Sequence, residues 1–318
     1  MSGEKLAQRN YFGKALETLA KTNPDVVVLD ADLAGSTKTA AFKKAAPDRF
    51  FEVGIAEADM IGVAAGLAAS GKIAFASSFG VFASGRCWEQ IRMAVAYPKL
   101  NVKIVATHCG LSVGPDGATH QALEDLALMR ALPNMTVVVP CDAYETYQAT
   151  LAIAAHPGPC YMRMGRSEFP VITNPDQSFT IGKATVMREG TDVSLVACGQ
   201  MVQACLDAAD LLVGEGISAE VVNMSTVKPI DMDALYDTAL KTGAVVTAEE
   251  HSVFGGLGSA VAEFLSEVLP TPLSRVGTYD TFGESGNADD LMKKYGLTAA
   301  DVVREAHRSI SMRNEMRA

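Results

Sequence analysis

No apolar run in this chain reaches membrane-spanning length, and its start, MSGEKLAQRN, has no apolar signal core. Both absences lead to the expectation of a cytoplasmic protein with no membrane role. Six cysteines (Cys87, Cys109, Cys141, Cys160, Cys198, Cys205) form no CxxC pair. Disulfide frameworks belong to small secreted domains, so these are expected to be reduced core thiols. No group of His and Cys has metal-ligand spacing, so no metal site is expected on this chain. Positive charge is in short supply, 27 Lys and Arg against 37 Asp and Glu, which argues against a nucleic-acid partner. Internal repeats and low-complexity runs are missing as well.

What is present is 318 residues, 48% of them hydrophobic, with 27 glycines. That suffices for two ordinary α/β domains, each with its own core. In the first half, short β-branched runs alternate with helical patterns. Strands are expected over 25–29, 50–53, 73–78, 102–107, 136–139 and 160–164, with helices over 6–20, 54–71, 87–96, 121–131 and 144–155. Such alternation implies a doubly wound, mostly parallel sheet covered on both faces. Small residues on nearly every side of 54–71 predict a helix packed closely all round. Ligands of such sheets bind beyond the strands' carboxyl ends, where loops 30–36, 77–82, 108–120 and 165–168 collect.

The pattern lapses over 167–183, SEFPVITNPDQSFTIGK, which has two prolines and an Asn-Pro turn. The expected division is a first domain over 1–170, a linker over 171–183 and a smaller α/β domain over 184–318. The second unit should hold strands over 192–198, 219–223 and 244–248 and helices over 201–214 and 257–268. A helical tail over 288–309 should end in frayed residues, RNEMRA.

Several residues have two readings each. Glu57 lies in the first turn of the small-residue helix. It either satisfies the helix dipole or, as a carboxyl in an apolar wall whose pKa burial raises, shares a proton with a ligand's ring nitrogen. Two glycines in GPDGATHQ (114–121) let the backbone approach a ligand, with Asp116 and His120 able to face one pocket; a surface Ω-loop would look alike. Phe79 and Phe82 are core or ligand platform. His108 could be a satisfied buried histidine. Arg163 and Arg166 are ordinary surface arginines unless several cations converge on an anion. The glycines of EEHSVFGGLGS (249–259) do not make GxGxxG, and tight helix–sheet packing accounts for them equally well.

Together FFEVGIAEADMIGVAAGLAASG, SSFGVF, THCGLSVGPDGATHQALEDLALMRALPNM, PCDAYET and EEHSVFGGLGSA, in that order, resemble the transketolase family of thiamine diphosphate enzymes. The resemblance covers nearly the whole chain but only the carboxyl-terminal half of a full-length transketolase. It implies a pyrimidine-binding domain followed by the transketolase C-terminal domain. The family's diphosphate-and-metal motif, GDG followed by Asn, is missing: no GDG occurs in the sequence. The resemblance therefore implies one subunit of a split transketolase. An N-terminal subunit would carry the diphosphate and divalent metal (Mg or Ca), with two copies of each chain. The implied activity is transfer of a two-carbon ketol unit from a ketose phosphate to an aldose phosphate.

Position by position, the resemblance makes Glu57 the glutamate that bonds the cofactor's aminopyrimidine nitrogen. Phe79 and Phe82 become the aromatics on that ring; a third aromatic is not evident in Ala83-Ser84-Gly85-Arg86. His120 matches the histidine near the reacting carbonyl, Asp116 a carboxylate on a substrate hydroxyl, and Asp32 an acid near the cofactor in the neighbouring site. Arg9, Ser36, His108 and Arg166 align with the sugar-phosphate residues. Relatives share parts of the pattern. 1-Deoxyxylulose-5-phosphate synthase has VGIAE and DG-x-TH, but Asp-Arg in place of Thr107-His108. The 2-oxo-acid dehydrogenase beta subunit lacks GPDGATHQ. A non-catalytic subunit that kept the fold would be expected to lose Glu57 or His120.

Overall fold

The computed structural model describes residues 4–318; the expected domain start at residue 1 lies outside them. Seven strands form the larger sheet, in the spatial order Thr226–Lys228, Thr136–Val138, Cys160–Arg163, Val102–Thr107, Ile73–Phe79, Val26–Asp30 and Phe50–Glu52. All neighbours run parallel except the first pair. Central strands such as Val26–Asp30 and Val102–Thr107 are buried along their whole length, as sheets covered on both faces require. Helices Gln8–Thr22 and Ala143–Ala155 pack on each other over one face. Glu57–Ala69 and the segment following Phe79 cover the other.

The smaller sheet orders Leu273–Thr278, Val245–Ser252, Val193–Ala197, Ala219–Asn223 and Thr185–Arg188, with only the last antiparallel to its neighbour. A two-stranded ribbon joins Lys5–Ala7 to Glu168–Pro170. The fold is thus α/β throughout.

Four features depart from the sequence pattern. The helix expected over 87–96 is instead two wide π-helical turns, Phe82–Arg86 and Ile91–Ala96, around a single α turn at Trp88–Gln90. The helix expected from Gln121 begins only at Asp125, because Gln121 Nε2 is held by the carbonyls of Leu111, Gly114 and Glu284. The tail is two helices, Ala288–Lys294 and Ala299–Arg317, divided at Gly296 and restarted by a Thr298–Asp301 capping box. Its last residues are not frayed: Arg313 Nη1 donates to the carbonyls of Asp192 (2.7 Å) and Thr242 (2.8 Å).

The Glu57 helix is also less enclosed than its composition implied. Met60, Ile61, Ala64, Ala65 and Ala68 are buried, whereas Asp59, Gly62, Val63 and Gly66 form an exposed face.

The halves are stitched together. Thr226–Lys228, from the second half, is an edge strand of the first half's sheet, and Lys228 Nζ donates to the carbonyls of Arg130 and Leu132. One apolar cluster spans Met129 and Val137 from the first half and Val222, Val227, Leu257 and Val261 from the second.

Candidate active site

Glu57 opens its helix directly after the extended Phe50–Glu52 strand and a Gly54 turn at positive φ. Its side chain is buried, and Arg86 Nη1 donates to both carboxylate oxygens at 2.8 Å. The Arg86 guanidinium also lies over the Phe82 ring, 4.5 Å from its centroid. The wide turn at Phe82–Arg86 returns the arginine over the aromatic four residues earlier, a use of π geometry common near ligand sites. Nearby, burial first and the Glu57 charge second push the Cys87 thiol up to about 12, so it is no nucleophile at neutral pH. All six cysteines are buried and unbridged, as expected from the sequence.

Phe79 and Phe82 stack with centroids 6.2 Å apart and planes inclined by 17°. His120 meets Phe82 edge-on at 5.2 Å, and His108 stacks on Phe79 at 3.9 Å. Thr119 Oγ1 lies 2.9 Å from His120 Nδ1, which orients the ring and leaves Nε2 for another partner. Gln121 holds the loop from within, so it is a built turn rather than a free Ω-loop. Asp116 stands exposed at its rim.

Arg9 and Arg166 line a cleft of about 450 Å³ with Lys38, Ser112 and Asn287. Arg9 Nη1 donates to the Ser36 carbonyl, Arg166 Nη1 to the Val113 carbonyl, and Arg9 Nε is buried without a partner. His108, at positive φ, has Nδ1 2.9 Å from Thr107 Oγ1. Burial, followed by the charges of Arg9 and Arg166, lowers its pKa to about 3, so it meets any anion as a neutral ring. Asp32 is exposed, at positive φ, with its N–H donating to Glu52 Oε1 (2.7 Å). Two regions therefore gather the predicted residues: Glu57, Phe79, Phe82, His108 and His120 in one, Arg9, Ser36 and Arg166 beside it. Asp32 and Asp116 make no side-chain bond to either group among the described residues.

Other carboxylates are structural. Arg163 is no surface residue. Fully enclosed, it donates through Nε to Asp125 and through Nη2 to the carbonyls of Ala122 and Glu250, while Tyr161 Oη donates to Asp125 at 2.7 Å. Glu250 accepts the Ser112 N–H at 2.6 Å and fills the space above Gly110, where a Cβ would lie 2.2 Å from its carboxyl carbon. Glu249 accepts the N–H groups of Leu257 and Gly258 at 2.7 Å each, and a Cβ on Gly256 would strike it. The glycine-rich turn is thus explained by packing around a capping carboxylate rather than by a nucleotide.

The transketolase pyrimidine binding domain model matches residues 4–171, and the transketolase C-terminal domain model matches residues 182–302. The chain belongs to the transketolase family. A solved structure described as a split gene transketolase, inactive beta4 tetramer, superposes with a TM-score of 0.92 at 55% identity, covering 97% of this chain and 99% of that one. The chain is 48% identical to the 6-deoxy-6-sulfo-D-fructose transketolase subunit of a Clostridium species, over 96% of this chain and 95% of the relative. It is 39% identical to an apulose-4-phosphate transketolase subunit of Phocaeicola vulgatus, over 96% of this chain and 98% of that relative. Among transketolases this chain is therefore of the split-subunit type.

Sequence reasoning passes over two residues of the site. Arg86 stands out only within the segment where a third aromatic is missing, although a cation four residues after Phe82, one helical turn on, is the available signal. Lys38 lies two residues beyond the 30–36 loop as polarity bounds that loop.

Proposed function

We propose that this chain is the pyrimidine-binding subunit of a two-chain transketolase that moves a two-carbon ketol unit between sugar phosphates. The observation that carries this reading is the slot between Glu57 and Phe82. It already accepts a flat hydrogen-bonding group, the Arg86 guanidinium, which lies over an aromatic face with one nitrogen, Nη1, bonded to both oxygens of a buried carboxylate. A protonated or imino-type pyrimidine offers the same shape and the same donor edge, so these residues fit thiamine diphosphate's ring.

When bound, that cofactor supplies the carbanion carrier that ketol transfer needs. The chain's own groups divide the remaining work. Glu57 holds the hydrogen on the ring nitrogen, and Phe79 and Phe82 fix the plane. His120 Nε2, free while Thr119 orients the ring, donates to or accepts a proton from the substrate's carbonyl or hydroxyl oxygen. Asp116 at the rim accepts from a substrate hydroxyl. Arg9, Ser36 and Arg166 take the sugar's anionic end, with His108 as a neutral hydrogen-bond partner. Asp32 serves the neighbouring site across a subunit contact.

A separate N-terminal subunit completes the centre by binding diphosphate and Mg or Ca, with two copies of each chain in the assembly. The exposed Ile55 beside Glu57, with the exposed Gly62, Val63 and Gly66 further along the same helix, supports a subunit contact on that helix face. The domain division at 170 and 183 belongs to the same reading.

Reconstitution tests it. The chain is co-expressed with the product of the adjacent reading frame and assayed for ketol transfer over a panel of phosphorylated, sulfonated and branched sugars. Transfer by the mixture and none by either chain alone is expected. Full transfer by this chain alone overturns the two-chain reading, and no transfer from any donor overturns the transferase.

A further inference from the structure

Lys38 sits on a turn built to hold it. Its backbone is in the left-handed region (φ 72°), uncommon for a residue with a long side chain. The buried Asp30 carboxylate straps that turn on both sides, accepting from Leu33 N (2.6 Å), Thr37 Oγ1 (2.7 Å) and Thr39 Oγ1 (2.8 Å). Behind it, a Cβ on Gly13 would come within 2.9 Å of Lys38 Cβ, so the lysine's stem is pressed against the first helix. Forward of it lies the cleft it shares with Arg9 and Arg166. Among the described residues none of these three cations bonds a carboxylate, and Arg9 Nε is buried and unpartnered.

We infer that Lys38 is a third fixed cation of this cleft and that it tunes the cleft to a dianionic phosphate terminus over a monoanionic sulfonate. The inference rests on the proposed reading of the cleft as the sugar's anion site. A phosphate monoester carries nearly two charges at neutral pH and a sulfonate one. Because Coulomb energy scales with charge, removing one fixed cation costs the dianion about twice the free energy it costs the monoanion. A tenfold loss for phosphate therefore corresponds to about a threefold loss for sulfonate.

Calorimetric titration of the full chain at pH 8 and low salt with inorganic phosphate and with methanesulfonate tests this. The lone chain is the right material, since it lacks the partner's diphosphate site. Lys38→Met should weaken phosphate about tenfold and methanesulfonate about threefold, with Lys38→Arg restoring most of the phosphate affinity. Unchanged phosphate binding in Lys38→Met, or equal fold losses for the two anions, overturns the role of Lys38. Arg166→Ala separates the two levels: if it weakens phosphate while Lys38→Met does not, only Lys38 is misassigned. If neither variant weakens phosphate, or the chain binds none, the anion cleft itself falls with the inference.

Discussion

Asp125 and Glu57 are both buried carboxylates that meet an arginine, yet the two surroundings are opposites. Asp125 is wholly enclosed, and its partner Arg163 is 5% exposed. Tyr161 completes the pair, and Arg163 spends its other hydrogens on carbonyls from both halves of the chain. Glu57 is enclosed too, but its partner is a single arginine 50% exposed on the next segment. A carboxylate satisfied from several elements is part of the frame. One satisfied by a single side chain with a route to water is available to a ligand.

Breaking the frame should have the larger effect. Arg163→Met leaves Asp125 charged, buried and held by Tyr161 alone, and strips the Glu250 carbonyl of its donor. Removing one member of a buried pair costs about 3–5 kcal/mol. Urea unfolding should show that loss. A loss under about 1 kcal/mol would mean water replaces the guanidinium and that the junction is not closed.

Breaking the other pair should leave the fold nearly intact and strike the chemistry. Glu57→Gln keeps the shape, and Arg86 can turn to solvent, so stability should change by about 1 kcal/mol or less. Ketol transfer by the reconstituted enzyme should fall about 10²- to 10⁴-fold, the range for loss of a positioned proton-sharing group. Near-normal turnover at saturating cofactor would return Glu57 to a helix-dipole role.

How far this contrast can be read in the sequence depends on where each signal lies. Glu57, Phe79, Phe82 and His120 fall in compact segments that carry the family resemblance, so their gathering is legible through that resemblance, whereas local pattern alone leaves each with two readings. Arg163 reads as a surface residue because its partners, Asp125 and Glu250, lie 38 and 87 positions away. The Thr226–Lys228 strand escapes for the same reason: three residues before a proline carry no periodicity, and the strand exists only through its distant neighbour Thr136–Val138. The π turns that carry Arg86 are set by packing, Trp88 Nε1 donating to the Leu128 carbonyl among other contacts, rather than by local preference.

The smallest effect is the most discriminating for the slot itself. Arg86 bonds both oxygens of Glu57 and covers the face of Phe82, the two contacts that a pyrimidine would make. The arginine and the ring therefore compete, and the arginine, half in solvent already, is the one that can leave. Arg86→Ala removes the competitor. The free chain should lose about 0.5–1 kcal/mol, because the Glu57 carboxylate loses its partner while water can reach the gap. The assembled enzyme should bind thiamine diphosphate a few-fold more tightly, since a pair worth about 1 kcal/mol corresponds to roughly a fivefold change in affinity. Fluorescence titration of the cofactor against wild type and variant measures this directly. Weaker binding in the variant would reverse the assignment: Arg86 would then stay at the bound ring's edge and stand in for the third aromatic that is missing from Ala83-Ser84-Gly85-Arg86.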